Sequence, residues 1–108
     1  MDLSNLDDLT LWDKIVSGDE RAFEYVYTNY SEDLYRYGQR LCKERTMIED
    51  SIHDVFFYVW YRRKKLKVKD SIKFYLLKAF KWDLVKKMSQ IQGGSNDRVP
   101  KKKIQEKV

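Results

Sequence analysis

Residues 48–60 are Ile-Glu-Asp-Ser-Ile-His-Asp-Val-Phe-Phe-Tyr-Val-Trp, and they carry the clearest helical pattern in the chain. At 100° per residue its apolar side chains share one face of a helix. Those side chains are Ile48, Ile52, Val55, Phe56 and Val59. Thr46 and Glu49 have the spacing of a capping box, in which each side chain accepts a hydrogen bond from the other residue's free backbone N–H. The pattern therefore predicts an amphipathic helix over about residues 46–65.

Four further helical segments are predicted around this one, over about residues 6–17, 20–30, 32–43 and 71–88. Gly18 separates the first two segments, and Asp19 is the expected N-cap of the second. Ser31 and Asp70 are the expected N-caps of the third and last segments. Only one proline and four glycines occur in 108 residues. The fold class predicted is therefore all-α, a compact bundle of about four to five helices.

The chain is predicted to hold one domain, residues 1–88, followed by a segment of different composition. Residues 89–108 include Gly93-Gly94, Pro100 and the three consecutive lysines 101–103. Such a composition favours neither a helix nor a packed core. We expect residues 89–108 to form a flexible basic tail or linker.

Charge is distributed unequally along the chain. Residues 1–60 carry 6 Lys/Arg and 13 Asp/Glu, a net charge of −7, whereas residues 61–108 carry 16 and 4, a net charge of +12. A chain polarised in this way is expected to face two different partners, one of them polyanionic. The alternative is a solvated basic face with no partner.

The residues that carry catalytic or metal chemistry are nearly absent. Cys42 and His53 are single residues of their types, and no His-x-x-x-His spacing or phosphate-binding glycine loop occurs. We predict no enzymatic activity, no cofactor and no metal site. No apolar run approaches the roughly 18 residues needed to cross a bilayer, and the start lacks a signal-peptide pattern. A cytoplasmic protein with no membrane association is expected.

Three motifs resemble the extracytoplasmic-function (ECF) sigma factors of bacterial RNA polymerase. Residues 48–60 are similar to that family's Ala-Glu-Asp-Leu-Val-Gln-Glu-Val-Phe, followed after a few residues by Trp. Residues 18–23, Gly-Asp-Glu-Arg-Ala-Phe, followed by Tyr27 and Tyr30, resemble its opening signature. Residues 72–79 are similar to the start of its promoter-recognition helix. The resemblance covers about residues 9–88 and implies a sigma-70 region 2 domain. The function it implies is binding core RNA polymerase and recognising and melting the promoter minus-ten element.

The helix of residues 46–65 has an acidic flank beside aromatic side chains, a composition typical of protein–protein contacts. In the sigma family this segment binds a basic coiled coil of the clamp in the largest polymerase subunit. The resemblance implies a core-polymerase-binding role for Glu49, Asp50, His53, Asp54 and Phe57. The alternative is that Phe57 and Trp60 belong to the core and the acids only solvate the helix.

Basic and aromatic residues alternate from residue 62 onward, which suits single-stranded nucleic acid because phosphates meet the cations and unpaired bases stack on the rings. The resemblance implies binding of the single-stranded non-template strand of the minus-ten element. The DNA-binding residues predicted are Arg62, Arg63, Lys64, Lys65, Lys67, Lys69, Lys73, Tyr75, Lys78, Trp82 and Lys86. The alternative is that Tyr75 and Trp82 pack against a neighbouring helix.

The chain departs from the family pattern at two positions and in one domain. Trp82 stands where the family usually has Asn, and Lys86 where it usually has Asp. The family's C-terminal helix-turn-helix domain has no counterpart here, so we expect the chain to be a fragment of a longer protein. One alternative function is a regulator or decoy that binds polymerase or an anti-sigma factor without opening DNA. Another is a basic helical DNA-binding protein unrelated to polymerase.

Overall fold

The computed structural model of the chain describes residues 2–69 and 71–93. Within these residues a short 3-10 turn, Leu3–Asn5, precedes four α-helices, and no β-strand occurs. The helices are α1 (Asp8–Val16), α2 (Glu20–Leu41), α3 (Arg45–Tyr61) and α4 (Ile72–Gly93). The predicted all-α bundle is confirmed. Residue 70 and residues 94–108, which include the predicted N-cap Asp70 and most of the predicted tail, lie outside the described residues.

The junction between α1 and α2 forms as predicted. Gly18 has a φ of +98°, a left-handed conformation that residues with a Cβ adopt only with strain. The Asp19 carboxylate then accepts hydrogen bonds from the backbone N–H groups of Arg21 (3.0 Å) and Ala22 (3.2 Å). These bonds satisfy two of the N–H groups that a helix start leaves free. The chain consequently turns within two residues, which lets α1 pack on α2.

The predicted break at Ser31 is wrong, because α2 is one continuous helix. Its buried positions Ala22, Val26, Leu34 and Gly38 keep the same four-residue spacing on both sides of Ser31. Serine costs a helix interior only a few tenths of a kcal/mol, about as much as an aromatic residue. An uninterrupted buried stripe therefore outweighs the capping preference of one serine.

The ends of α3 also differ from the prediction. The helix begins at Arg45 after Glu44, whose side chain makes no capping hydrogen bond, so the Thr46–Glu49 capping box does not form. Glu49 instead approaches Arg45, with an Nε–Oε2 distance of 3.6 Å. The helix ends at Tyr61 rather than near residue 65. The Arg63 guanidinium donates to the Trp60 carbonyl at 2.9 Å and so satisfies an acceptor that the last turn leaves free.

The start of α4 is attached to α1. The backbone N–H of Ile72 donates to the Asp8 carboxylate at 2.8 Å, across 64 residues of sequence. The Ser71 hydroxyl accepts from the Phe74 N–H at 3.2 Å and caps the same turn. The helix continues to Gly93, past the predicted end at residue 88. Both ends of the loop between α3 and α4 are thus held in place, the first by the Arg63 contacts and the second by Asp8.

The core lies where α3 packs against both α2 and α4. All five residues of the predicted α3 stripe are buried, as are Leu76, Phe80 and Leu84 of α4. From α1 the core takes Leu11, Trp12 and Ile15, whereas the apolar Leu9 of the same helix is 58% exposed. The face of each of the helices α3 and α4 that lies opposite its buried stripe is therefore exposed to solvent. The candidate site lies on these two faces.

Candidate functional site

The outer face of α3 presents the five predicted polymerase-binding residues to solvent. Glu49, Asp50, His53, Asp54 and Phe57 are all exposed. Phe57 is 70% exposed although it is a phenylalanine, and the neighbouring Tyr61 is 73% exposed. Their rings stack nearly parallel, with centroids 6.0 Å apart and an interplanar angle of 8°. We call Asp50, Asp54, Phe57 and Tyr61 the acidic–aromatic flank. An exposed aromatic pair beside carboxylates matches the composition of a protein contact.

Asp54 has an intramolecular partner that the sequence did not suggest. Lys87 Nζ on α4 lies 2.6 Å from the Asp54 carboxylate and 2.7 Å from that of Asp83. Burial lowers the pKa of Lys87, but the hydrogen bonds to Asp54 and Asp83 outweigh it and hold the pKa above its ordinary value. Lys87 therefore stays charged and joins α4 to α3. Asp50, which has no ion pair among the described residues, is the freer carboxylate of the flank.

Arg63 makes intramolecular contacts instead of projecting into solvent with its neighbours. Its guanidinium carbon lies 4.1 Å from the centroid of the Trp60 ring, and its Nε donates to the Val16 carbonyl at 3.4 Å. Trp60 in turn packs on Phe23, with ring centroids 4.9 Å apart. Arg63 thus joins the end of α3 to α1. Its guanidinium is engaged within the molecule, unlike those of its exposed neighbours.

In the loop after α3, exposed lysines alternate with a buried valine. Val68 is buried, whereas Lys67 and Lys69 on either side are exposed. Because successive residues of extended chain point to opposite sides, one buried valine directs both lysines outward. Arg62, Lys64 and Lys65 are exposed as well, and the Arg62 guanidinium lies 5.9 Å from the Tyr58 ring centroid. These five cations form one patch, which we call the basic loop.

The predicted DNA-binding residues of α4 other than Tyr75 differ in how exposed they are and in what they contact. Lys78 is exposed, and Lys73 is exposed but lies 3.5 Å from the Asp33 carboxylate. Trp82 and Lys86 are half-buried, and the Lys86 ammonium lies 5.6 Å from the Trp82 ring centroid. The ring of Trp82 lies outside the cluster of side chains packed on the core.

Tyr75 belongs partly to the core. It is half-buried and packs against the core cluster. Burial raises the pKa of its phenol, and the nearby Tyr58 phenol raises it further. Tyr75 is therefore divided between the core and the surface, and only its exposed part is available to a bound strand.

Two exposed apolar residues of α4 were missed by the sequence reasoning. Phe74 is 71% exposed and Val85 is 45% exposed. With the exposed Lys78 and Lys81 they form a stripe at spacings of four, three and four residues along the outer side of α4. At 100° per residue Phe74 lies well away from the Leu76–Phe80–Leu84 stripe. The helix angle therefore indicates that Phe74 is exposed, although its apolar side chain suggests burial.

The two surfaces follow one another along α3. The acidic–aromatic flank covers the middle and end of the helix, and the basic loop begins at the next residue. Among the described residues no group of three or more His, Cys, Asp or Glu side chains is arranged to hold a metal ion. No helix in that part of the chain is both long and apolar enough to cross a membrane.

The comparisons with known proteins leave the family open. No family model matches this chain, and neither does any curated protein or solved structure. The function is therefore argued from the chemistry of the two surfaces.

Proposed function

We propose that this chain is a sigma-type domain that binds core RNA polymerase through the acidic–aromatic flank and holds melted minus-ten promoter DNA on the basic loop and α4. The observation that carries the proposal is the placement of two chemically opposite exposed surfaces, one after the other, on one small helical domain. Neither surface forms part of the buried core, because the residues that define each surface are exposed or only half-buried.

The acidic–aromatic flank suits a basic protein partner. Asp50 supplies an exposed carboxylate, and the Phe57–Tyr61 stack supplies apolar area that solvent now covers. Burying such aromatic area under a partner is the usual source of binding energy at an interface, and neighbouring charges select the partner. In the sigma family, which this chain resembles, the partner is the basic coiled coil of the polymerase clamp. An anti-sigma factor that covers the same flank is a further partner under this proposal.

The basic loop and α4 suit single-stranded DNA. Five cations of the loop can contact phosphates, and the half-exposed Trp82 ring has the Lys86 ammonium 5.6 Å from its centroid. Lys78, four residues before Trp82 on the same helix, is exposed. Aromatic rings interleaved with cations bind single strands with little dependence on sequence, each stacked base contributing roughly 1 to 3 kcal/mol. A base held on a ring no longer re-pairs, and this favours the melted promoter.

The experiment that tests the protein partner is co-purification of core polymerase with Asp50→Arg combined with Phe57→Ala. Both side chains are exposed, so helicity and melting temperature should stay nearly unchanged. Capture of polymerase should fall at least tenfold. Asp54 is left intact because its substitution would also break the Lys87 contact. Asp13→Arg, at an exposed position of α1, is the matched charge control and should retain full capture.

A second measurement separates the proposal from its alternative, a regulator or decoy that binds polymerase without opening DNA. The wild-type chain is titrated with a single-stranded minus-ten oligonucleotide. Binding of the strand supports the sigma-type function. Capture of polymerase without strand binding would favour the decoy. Strand binding with no capture of polymerase would leave only a basic DNA-binding protein.

A further inference from the structure

A groove runs between α2 and α3 on the side away from α4. Its first section is lined by Glu20, Phe23, Glu24, Tyr27 and Trp60. Its second section is lined by Tyr27, Ser31, Glu32, Tyr35, Glu49, Ile52 and His53. Each section has a volume of about 430 Å³, and the Tyr27 side chain lines both, so the two sections are neighbours along the same side of α2. From Glu20 to Tyr35 the groove extends roughly 22 Å at the rise of an α-helix.

The groove combines an aromatic floor with a carboxylate rim. The floor is held rigidly, because Phe23 packs on Trp60 at 4.9 Å and Tyr27 on Phe56 at 4.8 Å between ring centroids. Four glutamates line the groove. Glu32 pairs with Arg36 and Glu49 with Arg45, so Glu20 and Glu24 supply the free charge of the rim among the described residues. The groove therefore favours an occupant that carries both cations and apolar side chains.

One end of the groove already holds a cation of this chain. The Arg63 guanidinium lies over the Trp60 ring at 4.1 Å. Cations over an indole face are favoured by the ring quadrupole. The floor of the groove is thus a surface on which a basic side chain binds in this molecule.

We propose that this groove is a docking site for the chain's own residues 98–107, Arg-Val-Pro-Lys-Lys-Lys-Ile-Gln-Glu-Lys. This segment carries five cations and a single carboxylate, with Val99 and Ile104 between the charges. Its cations match the glutamates of the rim, and its apolar residues match the floor. The basic loop and the outer side of α4, where cations predominate, would repel the same segment.

The end of α4 lies close enough for the segment to reach the groove. Gln90 and Lys87 line one depression together with Glu44, Thr46, Met47 and Asp50, at the start of α3. Glu49 and His53, at the near end of the groove, lie on the other flank of that same part of α3, about one helix diameter of 10 Å away. Five residues of extended chain, from Gly93 to Arg98 where the docked segment begins, span up to about 18 Å. The covalent connection therefore allows the contact.

Docking of residues 98–107 has a consequence that rests on the proposed function. Glu49 and His53 belong both to the groove and to the set expected to bind polymerase. A segment seated in the groove would therefore compete with polymerase, and the chain would limit its own binding. The docking itself is independent of that function, and its test below uses no polymerase.

The test compares amide and indole resonances of the full ¹⁵N-labelled chain with those of the variant Lys101→Glu, Lys102→Glu, Lys103→Glu. The Trp60 indole N–H and the amides of Glu24 and Tyr27 should move in the variant. Raising the salt concentration should move the same resonances in the wild-type chain and leave them nearly still in the variant, because salt screens exposed ion pairs. Lys69→Glu, Lys78→Glu, Lys81→Glu is the control with an equal change of charge at exposed positions away from the groove, and it should leave the groove resonances unmoved.

A charge exchange completes the test. Glu20→Lys with Glu24→Lys should move the Trp60 indole and Tyr27 amide resonances as the tail variant does, and combining the two sets should return these two resonances toward their wild-type positions. Equal effects of the tail and control variants on the groove, or no effect of either, would overturn the proposal. The salt response of the wild-type chain needs no substitution. It decides the question even where a variant does not fold, since a groove that ignores salt holds no basic segment.

Discussion

At the scale of single residues, Gly38 marks the closest approach of three helices. A Cβ at this position would lie 2.9 Å from Ile48 Cγ2 on α3 and 2.9 Å from Phe80 Cζ on α4. Both neighbours are buried core side chains, so neither can move away freely. The absence of a side chain at residue 38 is therefore what lets α2 lie against α3 and α4.

Gly38→Ala should destabilise the domain for this reason. In an exposed helix the same change would stabilise by roughly 0.5 to 1 kcal/mol, whereas overpacking a core typically costs about 1 to 3 kcal/mol. A net loss of about 1 to 2 kcal/mol is expected in a urea or thermal unfolding measurement. Gln39→Ala, at the exposed next position, should change stability by less than about 0.5 kcal/mol. A gain in stability from Gly38→Ala would mean that the helices pack less closely.

Trp82 is the residue at which the family pattern and the chemistry of this chain diverge. Its ring is half-exposed, lies outside the packed core cluster, and has the Lys86 ammonium 5.6 Å from its centroid. Trp82→Ala should consequently lower stability by less than about 1 kcal/mol. Binding of a single-stranded oligonucleotide should weaken by roughly 1 to 3 kcal/mol, the contribution of one stacked base.

The control for Trp82 is Trp60→Ala. The Trp60 ring packs on Phe23 and under Arg63, so its removal should lower the free energy of unfolding by about 3 kcal/mol or more. A loss of similar size for Trp82→Ala would mean that the Trp82 ring packs in the core and does not contact DNA. The lysines of the basic loop would then carry the binding.

At the scale of helices, periodicity predicted most of the fold and capping patterns predicted less. The stripe from Ile48 to Val59 is buried as expected, since a five-residue pattern reflects burial, which dominates folding energy. Capping patterns predict helix starts at Ser31 and Thr46, yet both residues lie inside helices. A cap contributes only about 1 kcal/mol, so the packing of a longer helix overrides it.

The candidate site was predicted unevenly for a similar reason. Exposed carboxylates and lysines follow directly from helix angles, and Asp50, Lys67 and Lys78 are where the sequence puts them. Arg63 and Lys87 differ, because their partners Val16, Trp60, Asp54 and Asp83 include residues far away in the sequence. Contacts between helices depend on how the helices are arranged, which one-dimensional patterns do not specify.

The contact of Lys87 with Asp54 and Asp83 joins α3 to α4, and Lys87→Met should weaken that junction. Loss of the cation leaves two carboxylates without their shared partner, and a drop of about 1 to 2 kcal/mol in unfolding free energy is expected, reduced by the exposure of Asp54. Because the pKa of Lys87 is raised in the folded chain, its contribution is fully present below its ordinary pKa of 10.5. The contribution is lost as pH rises through the folded-state pKa.

The pH dependence of this variant is the informative measurement. The difference in unfolding free energy between wild type and Lys87→Met should be constant from about pH 7 to 9 and should shrink above about pH 10.5. Lys81→Met, at an exposed position of the same helix, should leave stability nearly unchanged throughout. A difference that persists in strong alkali would mean that the lysine acts through its methylene chain.

At the scale of the whole molecule, the acidic and basic parts of the sequence meet where α4 packs along α2 and α3, as the contacts of Lys73 with Asp33 and of Lys87 with Asp54 show. The net charge of −7 in residues 1–60 lies largely on α1, α2 and the outer face of α3, and cations predominate from residue 62 onward. A polyanion is therefore attracted to the basic loop and repelled by the acidic–aromatic flank. Under the proposed function, this difference would orient a nucleic acid strand before any ring stacks on a base.

The salt dependence of strand binding measures how many cations contact phosphates. Each contact on a single strand releases condensed counterions and contributes about −0.7 to the slope of log affinity against log salt. Val68 is buried and directs Lys67 and Lys69 outward, so both are expected to contact phosphates. Replacing both lysines with alanine should make the slope shallower by about 1.4, with little change in stability.

Arg40→Ala with Lys43→Ala removes two exposed cations at the end of α2, away from the basic loop, and should leave the slope unchanged. Equal slopes for the two double variants would mean that strands bind the chain by net charge alone and not at the basic loop.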